Sequence, residues 1–202
     1  MQAFNVVSGA AAALPAANID TDIIMPKQFL KGIDRSGLAD GAFHDLRFDR
    51  DGMPRQDFIL NQPDWEQTCF LVTGPNFGCG SSREHAVWGL LQLGVRAIIG
   101  STFAGIFHDN ALNNGLLLIS LPSADVASLM ARAADPKRNG LTVDLPQQTV
   151  ETQDGLRLSF EIEPLRKRAL IGGLDAIGVT LQNAEAIHSF ERPYFDGNPW
   201  LA

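Results

Sequence analysis

An alternation of apolar strand-like segments with helical patterns, from residue 68 to residue 134, constrains the fold more than any other feature of this chain. Three segments are short apolar runs, and each is followed by a segment in which apolar residues recur every three to four positions, as on one helix face. In chain order these segments are residues 68–73, 82–93, 95–99, 101–114, 116–120 and 123–134. Because strand–helix–strand units place successive strands in one sheet, the run predicts an α/β protein with helices packed on the sheet.

The segments on either side of this run predict the remaining elements. Residues 3–7 form a predicted strand followed by a Gly/Ala/Pro turn, and residues 31–64 form a long loop rich in polar residues, glycine and proline. A helix is predicted at residues 164–171, and a helical C-terminal extension at about 182–202.

After Asn139-Gly140 the pattern changes to short antiparallel strands, joined in one place by the hairpin turn Gln153-Asp154-Gly155. These strands are predicted at residues 141–145, 149–152 and 156–161. We therefore expect residues 1–202 to form a single domain with a mixed sheet.

Composition excludes several classes of function. The formal net charge of −7, from 16 basic and 23 acidic side chains, argues against a nucleic-acid partner. The two cysteines, Cys69 and Cys79, cannot supply the three or four thiolates of an iron–sulfur cluster or a structural zinc site. A secretory signal would require a basic residue near its start, but no Lys or Arg precedes Lys27. No apolar run is long enough to span a bilayer. We expect no metal or cofactor in this chain, no membrane partner, and a reducing cytoplasm as its location.

Residues 78–85, Gly-Cys-Gly-Ser-Ser-Arg-Glu-His, carry the strongest functional pattern. Glycines turn the backbone between a predicted strand and a predicted helix, whose first turn offers unpaired N–H groups and the positive end of the helix dipole. Arg83, expected within that turn, could add a cationic fork for a carboxylate. The segment therefore predicts an anion site beside a serine hydroxyl.

A structural interpretation of the same residues stays open at this point. Ser81-x-x-Glu84 matches a capping box, and a capping serine needs no catalytic role. Phosphate-binding loops are excluded because they need a Gly-Lys-Ser/Thr sequence, and the dinucleotide fingerprint is excluded because Arg83 stands in place of its third glycine. The hydrolase pattern Gly-x-Ser-x-Gly is not matched at Ser81 or at Ser82.

Residues 76–85 resemble the signature of the small subunit of 3-isopropylmalate dehydratase, a subunit that is similar to the swivel domain of aconitase. Three more segments resemble the same family in the expected order and spacing, at residues 20–26, 101–107 and 173–181. Because the resemblance covers nearly the whole chain, it is more specific than any one motif. It implies a layered β/β/α swivel-type domain with a mixed sheet.

The resemblance also implies roles for individual residues. Ser81 would be the catalytic base, an alkoxide that removes a proton from the carbon next to a carboxylate. Arg83 and Ser82 would bind a substrate carboxylate. Asp22 lies in a segment that resembles part of the family's site, although Asp20 or Asp22 could instead cap the following turn.

A second substrate-binding cation is expected from Lys31 or Arg35, on the long loop that discriminates between substrate side chains in this family. The resemblance implies a large partner subunit that carries a [4Fe-4S] cluster, with no cofactor or metal held by this chain. The implied substrate is a small hydroxy-dicarboxylate, and the reaction is the interconversion of 2-isopropylmalate and 3-isopropylmalate by dehydration and rehydration in leucine biosynthesis.

Two alternatives remain on sequence alone. A sister hydro-lyase subunit could act on a methylmalate- or homoaconitate-type diacid. A stand-alone anion-binding module would use the same glycine turn without catalysis.

Overall fold

A computed structural model describes the protein over residues 1–31 and 35–201, and its centre is one mixed sheet of seven strands. The strands are β1 (Val6–Leu14), β2 (Thr68–Thr73), β3 (Ala97–Gly100), β4 (Leu117–Ser120), β5 (Gly140–Asp144), β6 (Thr149–Thr152) and β7 (Arg157–Ser159). Their order across the sheet is β4-β3-β2-β1-β5-β6-β7. The strands β1 to β4 are parallel, whereas β5 to β7 extend the sheet from β1 in antiparallel fashion. The predicted mixed sheet is confirmed.

Helices cover both faces of the parallel half. The α-helices are α1 (Thr21–Ile24), α2 (His44–Arg47), α3 (Glu84–Gln92), α4 (Gly105–Asn114), α5 (Ser123–Ala133), α6 (Pro164–Gly172), α7 (Ala176–Leu181) and α8 (Ala184–Gly197). Short 3-10 turns lie at Lys27–Leu30, Ile59–Asn61, Pro63–Trp65 and Pro199–Leu201. None of the helices within the described ranges is long and apolar enough to cross a membrane.

The hydrophobic core has two layers because side chains alternate along the buried strands. On β2, Phe70 and Val72 face the layer that includes α5, whereas Leu71 faces the layer built by α3 and α4. All three side chains are fully buried. The parallel half of the sheet is buried on both faces. Its strands are therefore continuous apolar runs, which sequence patterns detect.

The predicted N-terminal strand is wrong in extent. The pattern predicts a strand at residues 3–7 and a turn in the Gly/Ala segment, yet β1 covers Val6–Leu14 and is the central strand of the sheet. Glycine and alanine have low intrinsic strand propensity, but β1 pairs with β2 on one side and β5 on the other, and this pairing outweighs propensity. Small residues are required there, since a Cβ at Gly9 would lie 2.6 Å from the Cys69 sulfur.

The described part of the predicted long loop, residues 35–64, packs against the rest of the protein, and residues 32–34 lie outside the described residues. Leu38, Ala42 and Phe43 are buried, and Phe43 N donates to Ile24 O (2.9 Å). The segment thereby contributes to the core layer that also contains α3 and α4.

The C-terminal region has two helices where the sequence predicts one. Asp175 is the N-cap of α7, and its Oδ1 accepts from Gly178 N (2.7 Å), so this side chain holds the turn before α7. α8 follows directly, and α7 and α8, which are fully described, bury no residue.

Asp154, in the predicted hairpin turn, ties the antiparallel strands to α5. Its carboxylate accepts from Arg132 Nε (3.0 Å) and Arg138 Nη2 (2.6 Å), and also from the Thr152 hydroxyl. These hydrogen bonds hold the pKa of Asp154 well below its usual value, and the bond from Arg132 has the largest effect. Because the folded-state pKa is depressed, the stabilisation is present above the unfolded-state pKa of about 3.9 and is lost as pH falls through the folded-state pKa.

Replacement of Asp154 with Asn is expected to lower Tm at pH 7 by a few degrees, because two arginines lose their common carboxylate. The loss of Tm relative to the native chain should begin to shrink as the pH is lowered below 4, where the Asp154 carboxylate of the unfolded chain takes up a proton while that of the folded chain stays ionised. Thermal unfolding between pH 7 and pH 3 measures this. Asp196→Asn, an exposed carboxylate on α8, is the control. A constant difference in Tm at every pH would contradict the ionic role.

Candidate active site

The predicted catalytic segment lies at the carboxyl ends of the parallel strands, the edge at which open α/β sheets bind ligands. Residues 74–83 lead from β2 to α3 and run between the connections that follow β1 and β3. Backbone hydrogen bonds join the three connections: Gly74 N to Leu14 O (2.9 Å), Gly78 N to Ile19 O (2.8 Å), Thr21 N to Cys79 O (2.8 Å) and Ala104 N to Phe77 O (3.1 Å). The parallel pairing of the sheet thus continues past the strand ends and fixes the segment from both sides.

Gly78 allows this segment to pass close to α4. Its φ is +77°, and a Cβ at this position would lie 2.2 Å from Phe107 Cγ. Phe107 is buried and packs edge to face with Phe77, with ring centroids 5.4 Å apart. A positive φ and a close neighbour together require glycine here.

The helix after the segment begins later than predicted. The sequence predicts a start at residue 82, whereas α3 begins at Glu84, and Arg83 is its N-cap residue with extended backbone angles (φ −120°, ψ 101°). The Thr21 hydroxyl donates to Ser81 O (2.9 Å), and Thr21 N bonds Cys79 O. These bonds hold residues 79–81 beside the start of α1. The chain therefore cannot begin a helix until after Ser82.

The capping-box interpretation of Ser81 is wrong. Ser81 lies before the N-cap residue, and no side chain caps α3. Glu84 Oε1 accepts instead from Asn114 Nδ2 (2.7 Å). Ser81 and Ser82 are both exposed, so the hydroxyls are accessible to a ligand.

The two aspartates before α1 have separate roles. Asp20 is the N-cap of α1, and its Oδ1 accepts from Ile23 N (2.8 Å). Asp22 Oδ1 accepts from Arg83 Nη1 at 2.6 Å, with side chains 46% and 11% exposed respectively. Of the two open interpretations, capping belongs to Asp20, while Asp22 lies beside the predicted carboxylate-binding arginine.

The ion pair between Asp22 and Arg83 keeps the Asp22 side chain charged at the candidate site. The hydrogen bond from Arg83 is the main cause that holds the pKa of Asp22 below its usual value, and the charges of Arg83 and Lys27 act in the same direction. Arg83 Nη1 also donates to Met25 O (3.3 Å). The Nε and Nη2 groups of Arg83 make no hydrogen bond within residues 1–31 and 35–201, so they are available to a carboxylate.

The two candidate loop cations differ in their surroundings. Lys31 is exposed at the end of the Lys27–Leu30 turn, and its side chain has no hydrogen bond or ion pair to any residue that the structure describes. The Arg35 guanidinium lies over the Trp88 ring, with Cζ 4.2 Å from the ring centroid. The structure brings Arg35 against α3, the helix that follows Ser81, Ser82 and Arg83.

Sequence reasoning missed Thr21, Trp88, Gln92 and Asn114 as residues that shape the site. Trp88 packs partly against the core, but Glu84, Trp88 and Gln92 recur every four residues along α3, on a face that none of its fully buried residues occupies. That spacing is a signal in the sequence. Thr21 leaves no such signal, because its partner Ser81 is remote along the chain.

The residues of this chain do not fit an iron–sulfur cluster. Cys69 lies on β2 with its sulfur against Gly9, whereas Cys79 lies in the loop beyond β2, with Sγ 3.5 Å from Asn18 O. Over residues 1–31 and 35–201, no group of three or more His, Cys, Asp or Glu side chains could hold a metal ion.

Comparison with known proteins defines the class of this fold and site. Residues 1–124 match the family model of the aconitase C-terminal domain, and residues 127–164 match the LeuD_N model. A crystal structure described as 3-isopropylmalate dehydratase (leuD) from Methanocaldococcus jannaschii is similar with a TM-score of 0.66 and 26% identity, over 92% of this chain and 99% of that one. The protein has an aconitase C-terminal fold, and the predicted swivel-type α/β fold is confirmed.

Sequence relatives narrow the class. The chain is 55% identical to 3-isopropylmalate dehydratase small subunit 1 of Mannheimia succiniciproducens, over 100% of this chain and 99% of the relative. It is 52% identical to small subunit 2 of Salmonella typhimurium (100% and 96%) and 49% identical to the small subunit of Rhodospirillum rubrum (100% and 97%). This chain belongs to the family of 3-isopropylmalate dehydratase small subunits.

Gly78→Ala is expected to reduce the free energy of unfolding by about 2–5 kcal/mol, the sum of a left-handed backbone penalty and an overlap with Phe107. Gly52→Ala is a matched control, because Gly52 has almost the same φ (+78°) and nothing lies within 4 Å of the place that its Cβ would take. The control should lose only about 1–2 kcal/mol. Urea unfolding measures both variants, and equal losses would show that the approach to Phe107 does not constrain the site.

Proposed function

We propose that this chain supplies the proton-transfer and carboxylate-binding half of a hydro-lyase active site that interconverts 2-isopropylmalate and 3-isopropylmalate in leucine biosynthesis. The observation that carries the proposal is the 49–55% sequence identity, over 100% of this chain, to small subunits of 3-isopropylmalate dehydratase. The exposed Ser81-Ser82 pair beside Arg83 supports it, since a small hydroxy-dicarboxylate needs a cation and a base at one place.

In this proposal Arg83 binds a substrate carboxylate. Asp22 takes one Nη1 hydrogen of the guanidinium, while Nε and Nη2 present the parallel donors that a carboxylate accepts. Asp22 fixes the orientation of the Arg83 guanidinium. Because Asp22 is ionised, it also repels a second anion from the Nη1 side of that guanidinium. Ser82 adds its hydroxyl or amide to the same carboxylate.

Ser81 Oγ acts as the base. It takes the proton from the carbon next to the bound carboxylate, the C–H electron pair forms the double bond, and the hydroxyl of the neighbouring carbon leaves as hydroxide with the C–O electron pair, on the side of the site that the partner subunit would cover. Addition of water in the opposite orientation gives the isomer. A free serine is too weak for this step, so the alkoxide needs positive surroundings, which Arg83 and the first N–H groups of α3 supply. These groups follow Ser81 directly in the chain, although Ser81 itself stands outside the first helical turn.

The other half of the site belongs to a partner. We assign the [4Fe-4S] cluster, which supplies a Lewis acid when bound, to a large subunit, because the two cysteines of this chain lie at separate places. The carboxyl edge of β1–β3, where Ser81 is exposed, is the face that this subunit would cover. We further propose that residues 1–202 act as a single domain in the cytoplasm, with a second cation supplied by Lys31 or Arg35.

The test is reconstitution. Mixed with the cluster-bearing large subunit, the chain is expected to convert 2-isopropylmalate, and neither subunit alone should do so. Ser81→Ala should reduce kcat by about 10²- to 10⁴-fold, the usual contribution of a positioned proton-transfer group. Ser159→Ala, an exposed serine on β7, is the matched control and should retain activity. Full activity of Ser81→Ala would exclude Ser81 as the base. Turnover of a methylmalate- or homoaconitate-type diacid in preference to isopropylmalate would instead reassign the substrate.

Arg83→Lys should raise KM about 10- to 100-fold, because an ammonium keeps the charge but lacks the planar fork that serves Asp22 and the substrate together. The comparison variant is Arg55→Lys, whose guanidinium pairs with Asp57 on the exposed surface. Steady-state kinetics of the reconstituted pair, with Tm measured in parallel, separates binding from folding. An unchanged KM for Arg83→Lys would remove Arg83 from substrate binding.

A further inference from the structure

One face of α3 connects the candidate active site to the segment at residues 35–38. Glu84, Trp88 and Gln92 follow one another at intervals of four residues along this helix, so their side chains form a row. The buried residues Ala86, Val87, Gly89 and Leu90 occupy the other face and pack into the core. Trp88 packs partly against the same core layer, while the polar groups of the row are turned to contacts outside it.

Trp88 is held in one orientation by hydrogen bonds. Its Nε1 donates to Asn114 Oδ1 (2.8 Å), and Asn114 Nδ2 donates in turn to Glu84 Oε1 (2.7 Å) and to Asn110 O (2.9 Å). The amide of Asn114, the last residue of α4, thus joins two members of the row. A ring anchored in this way loses little freedom when a cation stacks on it.

The cation that stacks on Trp88 is Arg35, with Cζ 4.2 Å from the ring centroid. A guanidinium stacked on an aromatic face still directs its N–H donors outward in its own plane, where a carboxylate can accept them. Arg35 is exposed, so this edge is accessible. Lys31 has no corresponding support among the described residues.

Gln92 holds the backbone of the same segment. Its Nε2 donates to Arg35 O, and its Oε1 accepts from Leu38 N (2.8 Å). Leu38 is 5% exposed and anchors the segment in the core layer beneath. One amide side chain therefore fixes both ends of residues 35–38.

We propose that Trp88 and Gln92 are positioning residues that set Arg35, rather than Lys31, as the second substrate-binding cation. This inference rests on the proposed function. Arg83 is the N-cap residue of α3 and Trp88 lies in the second turn of that helix, so one rigid element carries both the first cation and the ring beneath Arg35. The two cationic groups therefore keep a set spacing, and a dicarboxylate of matching length meets both. Arg83 holds one carboxylate near Ser81, and Arg35 holds the other end.

A double-mutant cycle tests whether Trp88 acts through Arg35. In the reconstituted enzyme, Trp88→Leu and Arg35→Met are each expected to raise KM for 2-isopropylmalate by about 3- to 30-fold, with kcat within about twofold of the native value. The double variant should resemble Arg35→Met within about twofold, because the indole has nothing left to position. Trp88→Phe keeps the ring face and should fall between native and Trp88→Leu. Trp200→Leu, at a tryptophan that is 76% exposed near the C-terminus, is the matched control.

A second measurement reports the contact without turnover. Gln92→Met should accelerate hydrogen exchange at the Leu38 amide, while Gln147→Met, at an exposed glutamine before β6, should not. Additive effects of Trp88→Leu and Arg35→Met on KM, or a native KM in either single variant, would overturn the proposal, as would unchanged exchange at Leu38. If the native pair fails to convert 2-isopropylmalate, the proposed function fails, whereas the exchange experiment still decides whether Gln92 holds the segment.

Discussion

The site depends on the way in which the parallel pairing of β1 with β2 continues beyond the strands. The connection after β1 bonds the glycine turn after β2 at several backbone positions, and the last link is the hydroxyl of Thr21 on Ser81 O. Thr21 is 1% exposed, so its hydroxyl would be costly to leave unpaired, and Ser81 O accepts its hydrogen bond. The pairing holds Ser81 in an exposed position and delays the start of α3 until Glu84. The exposure of Ser81 and the late start of α3 therefore both follow from backbone pairing that begins in the sheet.

The pairing of Arg83 with Asp22 explains how a cation can be kept ready without a ligand. A buried guanidinium with no partner would be unfavourable, and a guanidinium with all its donors satisfied could not bind substrate. Here one nitrogen is bonded to an aspartate and a backbone carbonyl, and the others have no partner among the described residues. The aspartate orients the arginine at the cost of some repulsion toward an incoming anion, which the second cation on residues 35–38 would offset.

Sequence patterns predicted the parallel half of the sheet well because its strands are buried on both faces and read as continuous apolar runs. They failed for β1, whose glycine and alanine residues gain their extended conformation only from partners on each side. The signature at residues 78–85 located the site, but the start of α3 was misplaced since its cause, Thr21, is about sixty residues away. The contacts of Trp88 and Gln92 with residues 35–38 are likewise between remote positions, and only the spacing along α3 pointed to a common face.

The helix α4 contacts both parts of the candidate site, although the proposed function gives none of its residues a contact with substrate. Near its start, Phe107 supports the glycine turn through Gly78, and at its end Asn114 fixes the ring beneath Arg35. A small rotation or shift of this single helix would therefore displace the turn that leads to Ser81 and residues 35–38 together. For protein engineering and for evolution the consequence is epistasis: substitutions near Phe107 and near Asn114 are coupled through one rigid body, so the effect of either on substrate choice depends on the residue present at the other end.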